Sequence, residues 1–198
     1  MRFLKNIFIA GVAIFALTSL SSCNYNQLVE KQQKVEQSWA QVENQYQRRA
    51  DLIPNIVNTV KGYAEHESST LESVTNARAG LSKAYDAAQS VDNPQDNIEQ
   101  YQQAQSALKG ALDIYVNAVR EAYPDLKANT NFMALQTELE GTENRISTER
   151  KRYTEAVMEY NTAIKKFPTN IYAGWFGFKE KQQFKAEAGA SKAPEVKF

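Results

Sequence analysis

The 198-residue chain reads as an all-α protein, a long antiparallel up-down four-helix bundle, on three observations. It contains only 8 glycines and 5 prolines, while the helix formers Gln, Ala, Glu, Lys and Leu are plentiful. Its apolar residues recur in steps of three and four, the spacing of one helix face. The strong breakers fall between these stripes, at Asp92-Asn93-Pro94, Tyr123-Pro124 and Phe167-Pro168, with Pro54 the one exception.

The first helix is expected from Asn26 to about His66, with Val35, Trp39, Val42, Tyr46, Arg49, Ile53, Ile56, Val60 and Tyr63 on its stripe. Pro54 removes a backbone donor, but the stripe stays in phase on both sides, which predicts a kink or a local adjustment and not an end. Leu71, Val74, Arg78, Leu81, Tyr85 and Ala88 mark a second helix, stopping near Val91. Ile98, Tyr101, Leu108, Leu112, Tyr115, Val119 and Ala122 mark a third, ending at Tyr123-Pro124. Asn129-Thr130-Asn131 offers capping side chains for a long fourth helix through Phe132, Leu135, Leu139, Ile146, Tyr153, Val157, Tyr160, Ile164 and Phe167, ended by Pro168.

At 1.5 Å per residue, the two outer helices, first and fourth, reach about 55–60 Å and the inner two about 40 Å. With short connections, the first-to-second and third-to-fourth links lie at one end, so residues 26–39 and 156–167 project from the other as a two-helix stalk. That stalk leaves Val35, Trp39, Val157 and Ile164 uncovered, and the C-terminal aromatic segment, Ile171, Tyr172, Trp175, Phe176, Phe178 and Phe184, is expected to fold back over it. Trp175, Phe176 and Phe178 also carry a second reading, contact with lipid headgroups or with a partner, since aromatic rings favour membrane interfaces. Residues 186–198, small, polar and Pro-containing, read as a flexible tail.

Residues 1–22 read as a lipoprotein signal peptide. Arg2 and Lys5 form a basic start, Ile7 to Leu17 an apolar stretch too short to span a bilayer, and Leu20-Ser21-Ser22-Cys23 a lipobox. Cys23 is the single cysteine, so it has no disulfide partner, and its simplest use is as the lipidated first residue of a mature chain with residues 23–25 as the lipidated N-terminus and 26–185 as the bundle. Removal of the signal takes away Arg2 and Lys5 and no acid, leaving a net charge of −2. That balance gives no electrostatic footprint for nucleic acid, which is not expected as a partner. The expected location is a bacterial cell membrane, lipid-anchored on the periplasmic side. Asn24 is not the Asp that commonly signals inner-membrane retention, and inner and outer membranes both stay open.

No catalytic, metal or cofactor constellation stands out. His66, the only histidine, is expected at a helix-helix turn beside Glu65 and Glu67, where capping or a solvated surface role is its ordinary use. There is no His-x-x-x-His pair, no Glu-x-x-His, no Gly-rich phosphate loop and no nucleophile elbow. Arg49 is the informative charge because its stripe position faces the bundle interior. Counting from the shared end brings it level with Thr148, beside Arg145 and Glu149, with Glu143 and Asn144 about a turn away. A buried arginine must be paired, and the pair is expected to fix helix register. The functional alternative is a polar pocket for an anionic ligand, with Arg48 and Asp51 completing the set.

Particular blocks carry a resemblance: Asn24-Tyr25-Asn26-Gln27-Leu28-Val29, Arg48-Arg49-Ala50-Asp51-Leu52-Ile53-Pro54-Asn55-Ile56-Val57, Val60-Lys61-Gly62-Tyr63-Ala64, and Glu138-Leu139-Glu140-Gly141-Thr142-Glu143-Asn144-Arg145-Ile146, with His66-Glu67, Ala77-Arg78, Tyr160-Asn161 and Phe167-Pro168. In these blocks the chain resembles the LemA family over essentially its whole mature length. The resemblance implies a long helical bundle held at the bacterial envelope, in many relatives by a transmembrane helix instead of a lipid. It also implies envelope proteins with TPM domains, or membrane metalloproteases, as neighbours, and it names no reaction. Ala50, where relatives often carry an aromatic or His, and Tyr153-Thr154, where Tyr-Asn is usual, depart from the pattern. The expected function is a non-catalytic binding or scaffolding module with an envelope protein, or a second copy of itself, as partner. The alternative is an accessory or regulatory subunit of an envelope protease or other membrane enzyme, and a third reading is a small-ligand sensor built on Arg49.

Overall fold

A computed structural model describes residues 2–64 and 72–185, with side chains from Tyr25 onward apart from Lys127. His66, Leu71 and the tail 186–198 lie outside the described residues. Among the described residues five α-helices follow in order: α1 Arg2–Ala64, α2 Glu72–Gln89, α3 Ile98–Ala122, α4 Thr130–Lys165 and the short α5 Thr169–Tyr172, with a 3₁₀ turn at Leu126–Ala128 between α3 and α4. Among the described residues no helix is long and apolar enough to cross a membrane.

Local chemistry accounts for these boundaries. Pro54 sits on the exposed side of α1, and the helix runs through it to Ala64, so the missing donor is absorbed without a break. Asn129 caps α4: its Oδ1 accepts from the backbone N–H of Asn131 at 3.0 Å and of Phe132 at 3.2 Å. α4 ends at Lys165, a little before Pro168, because the residue ahead of a proline is pushed out of helical geometry. Phe167, expected on the α4 stripe, therefore falls past the helix end and is 80% exposed. Arg78, on the expected α2 stripe, is also exposed.

α1 packs along α4 and α2 along α3, and the two helix pairs join into one antiparallel bundle. Val60, Val74, Tyr123, Leu126 and Phe132 share a core at the end where the α1–α2 and α3–α4 links lie, with Tyr63 edge-on to Tyr123 at 5.8 Å between ring centroids. A second core occupies the other end: Leu28, Val35, Trp39, Val42 and Tyr46 from α1 against Tyr153, Val157, Tyr160 and Ile164 from α4, with Ile98 and Tyr101 from the start of α3. The stalk beyond α2 and α3 therefore opens just past Trp39, and its apolar face is covered by Ala173, Phe178 and Phe184 of the C-terminal segment. Each fully buried large apolar side chain contributes roughly 1.5–3 kcal/mol, which makes this cover energetically substantial.

Buried tyrosines give the bundle an alkaline limit. Burial pushes the Tyr115 hydroxyl up to about 12, and it does the same to Tyr153. A raised folded-state value means that the unfolded chain releases its proton first, near pH 10, so this part of the stability is whole below about pH 10 and is lost as pH rises through about 12. Thermal melts between these limits are expected to fall steeply for the native protein. Tyr115→Phe should fall less steeply, and equal slopes would place Tyr115 in water.

Candidate functional site

The α1 stripe puts one charge into the core, and the neighbouring helices supply its partners. Arg49 is 2% exposed. Its Nη1 donates to Glu143 Oε1 of α4 at 2.8 Å, and its Nη2 donates to the Gln105 carbonyl oxygen of α3 at 3.0 Å and also to Gln105 Oε1. The guanidinium carbon lies 5.2 Å from the Tyr46 ring centroid, and Tyr46 meets Tyr101 edge-on at 5.3 Å. Arg49 Nε is buried without a hydrogen-bond partner. One side chain thus holds three helices in register, and Glu143, 27% exposed, carries the compensating charge at the bundle surface. Burial, with Tyr46 and Glu43 adding to it, raises the Tyr101 hydroxyl well above the ordinary tyrosine range against the opposing pull of Arg49 and Gln105. Tyr101 stays neutral and leaves the guanidinium charge to Glu143.

The other members of the expected polar set are dispersed. Arg48 pairs with Glu138 at 2.7 Å on the surface, Asp51 accepts from Gln47 Nε2 at 2.7 Å, and Glu149 pairs with Arg152 at 2.8 Å. Asn144 and Arg145 are exposed. Arg49 is level with Glu143, and not with Thr148, since its Nη1 reaches Glu143 Oε1 at 2.8 Å. Gln105 and Tyr46 complete the cluster. Gln105 carried a readable signal, a polar residue on the α3 seam between Tyr101 and Leu108, four and three residues away.

Beside this cluster α3 and α4 stand apart, leaving an open groove of about 710 Å³. Lys109, Asp113 and Arg120 line it from α3, and Glu140, Glu143 and Asn144 line it from α4. Charges of both signs line it, mixed on the α3 wall and acidic on the α4 wall, with Lys109 Nζ donating to Asp113 Oδ2 at 3.0 Å.

A third feature is the strap after α5. Asn161 Nδ2 donates to the Lys181 carbonyl at 2.9 Å while its Oδ1 accepts from the Lys181 N–H at 3.0 Å. Gln102 does the same to Lys185, at 2.9 and 3.1 Å. Tyr153 Oη donates to the Gln182 carbonyl at 2.9 Å. Between these clamps Phe184 stacks on Trp39 at 6.0 Å, meets Tyr153 edge-on at 5.6 Å, and lies under Arg150 at 4.7 Å. The aromatic segment divides at Gly177, whose φ of +79° is a turn conformation suited to glycine. Phe178 turns inward, whereas Ile171, Trp175 and Phe176 are 55%, 82% and 60% exposed, which corrects the expectation that they cover the stalk.

A bundle of two packed helix pairs, aligned by a buried arginine and wrapped at one end by its own C-terminal strap, defines an elongated helical-rod protein. The chain belongs to the LemA family, whose family model matches residues 38–198. It is similar to Protein LemA of Metamycoplasma hominis, at 24% identity over 84% of this chain and 70% of that protein. It is also similar to Magnetosome protein MamQ 2 of Paramagnetospirillum magneticum at 28% identity, and to Magnetosome protein MamQ of Magnetospirillum gryphiswaldense at 25%, each over 89% of this chain and 70% of the relative. None of these is the name of an enzyme.

Proposed function

We propose that this LemA-family protein is a non-catalytic binding or scaffolding module of the bacterial envelope, tethered through a lipid on Cys23 and carrying a rigid helical rod on the periplasmic side. The observation that carries the binding reading is the groove between α3 and α4. Its Lys109, Asp113 and Arg120 on one wall and Glu140 on the other suit the mixed charge of a partner helix or a second copy of the chain, and complementary patterns of this kind set register and partner choice. Next to it Arg49 is bonded to α3 and α4 through Nη1 and Nη2, an arrangement suited to holding the groove walls in place. The anchoring part rests on the sequence, where Leu20-Ser21-Ser22-Cys23 follows a short apolar stretch and Cys23 is the single cysteine. An accessory role beside an envelope protease would use the same groove.

Anchoring has a direct test in mass spectrometry of the N-terminus of the protein extracted from membranes. A chain beginning at a diacylated or triacylated Cys23 is expected, and Cys23→Ser should leave an unprocessed precursor. An unmodified Cys23, or a native chain beginning at Met1, contradicts it.

A further inference from the structure

We propose that the tip between α4 and the strap, residues 167–178, is a second membrane contact that seats the base of the rod in the lipid headgroup region. The exposed apolar side chains of the described chain concentrate there. Trp175 is 82% exposed, Phe167 80%, Phe176 60% and Ile171 55%, all within ten residues of sequence. Folded proteins rarely leave large apolar side chains grouped in this way without an occupant, since at roughly 25 cal/mol per Å² their exposure is costly.

Three observations select a bilayer as that occupant. The first is position: Tyr25 meets Phe176 edge-on at 5.2 Å and Phe178 at 5.6 Å, which fixes the tip against the chain two residues from Cys23. The second is composition. Trp and Phe flanked by lysines is the pattern of an interfacial anchor, with the ring at headgroup depth and the ammonium groups toward phosphate. The third is charge: residues 165–181 carry Lys165, Lys166, Lys179 and Lys181 against Glu180 alone, and residues 167–178 carry no charge at all. Glu180 pairs with Lys165 at 2.9 Å, so the excess positive charge resides with the other three lysines, which suits an anionic phospholipid surface. Clamping of the strap by Asn161 and Gln102 makes the tip a fixed platform. Membrane contact there would set the angle of the rod, which a single flexible lipid tether leaves free.

The inference depends on the proposed Cys23 anchor only for which end faces the membrane, and the two can fail separately. Its test uses the full chain reconstituted into phosphatidylcholine–phosphatidylglycerol vesicles whose acyl chains are brominated near the headgroup. The protein has two tryptophans, and Trp39, 6% exposed beneath Phe184, serves as the internal reference. The expected result is quenching of the Trp175 emission by the brominated lipid together with its protection from aqueous acrylamide. Trp175→Phe should abolish the bromolipid-sensitive part and leave the Trp39 signal unchanged. Vesicle-bound protein whose Trp175 is still open to acrylamide and blind to bromine overturns the platform while leaving the lipid tether intact. Protection from acrylamide without bromine quenching also overturns it and assigns the tip to a protein contact, as does a chain that does not associate with the vesicles. Bromine quenching in a chain whose Cys23 proves unmodified retains the platform and removes the tether.

Discussion

Replacing Arg49 by alanine is expected to destabilise the bundle by about 3–5 kcal/mol, among the largest effects of any single substitution in this chain. The loss has two sources. Glu143 loses its charge partner at the margin of the core, and the Gln105 side chain and carbonyl lose the donor that tied α3 to α1. Glu143→Gln should cost less, because an amide oxygen can still accept from Nη1 and Glu143 is partly in water. Denaturant unfolding of the three proteins checks the order, native above Glu143→Gln above Arg49→Ala. An Arg49→Ala variant as stable as the native chain would mean that the register is set by apolar packing alone. Surface pairs are the internal contrast: Arg48→Ala, which removes the exposed bond to Glu138, should cost less than about 1 kcal/mol.

Phe184→Ala is the second large effect, expected at about 3–5 kcal/mol as for other buried phenylalanines. Its ring is the lid on Trp39 and Tyr153, and once it is gone the Gln102 and Lys185 clamp holds a strap with little left to bury. The damage should be local as well as global. Hydrogen exchange is expected to rise first around Val35 and Val157 in the stalk, and later around Ile56 and Leu108 in the distal core. Uniform exchange along the rod would show that the two cores unfold as one unit and that the strap has no separate role.

Much of this architecture was legible in the chain because the helical stripes are long and in phase. The caps and breakers at Asp92-Asn93-Pro94 and Asn129 fixed the helix order, and the length mismatch between α1, α4 and the inner pair foretold a stalk needing cover. The stripe also placed Arg49 inside. What stayed hidden depends on distances between segments far apart in sequence. The α3 seam marks Gln105 as inward-facing, but its partner is fixed only when the helix carrying the arginine is placed beside it. Asn161 and Gln102 were invisible as clamps because their partners are backbone groups of an irregular strap, which has no periodicity to read. The division of the aromatic segment, Phe178 and Phe184 inward and Trp175 and Phe176 outward, turned on one backbone conformation at Gly177 that composition does not reveal.

The binding role is tested most directly by photo-crosslinking in intact membranes from groove positions. A photoreactive residue at Asn117 or Gln136, both lining the groove, is compared with one at Ser82 on the exposed face of α2. A binding module predicts a discrete, saturable protein adduct from Asn117 and Gln136, either a second copy of the chain or one envelope partner, and none from Ser82. Groove probes that yield no protein adduct, in membranes where the chain is present at its native level, would contradict that role.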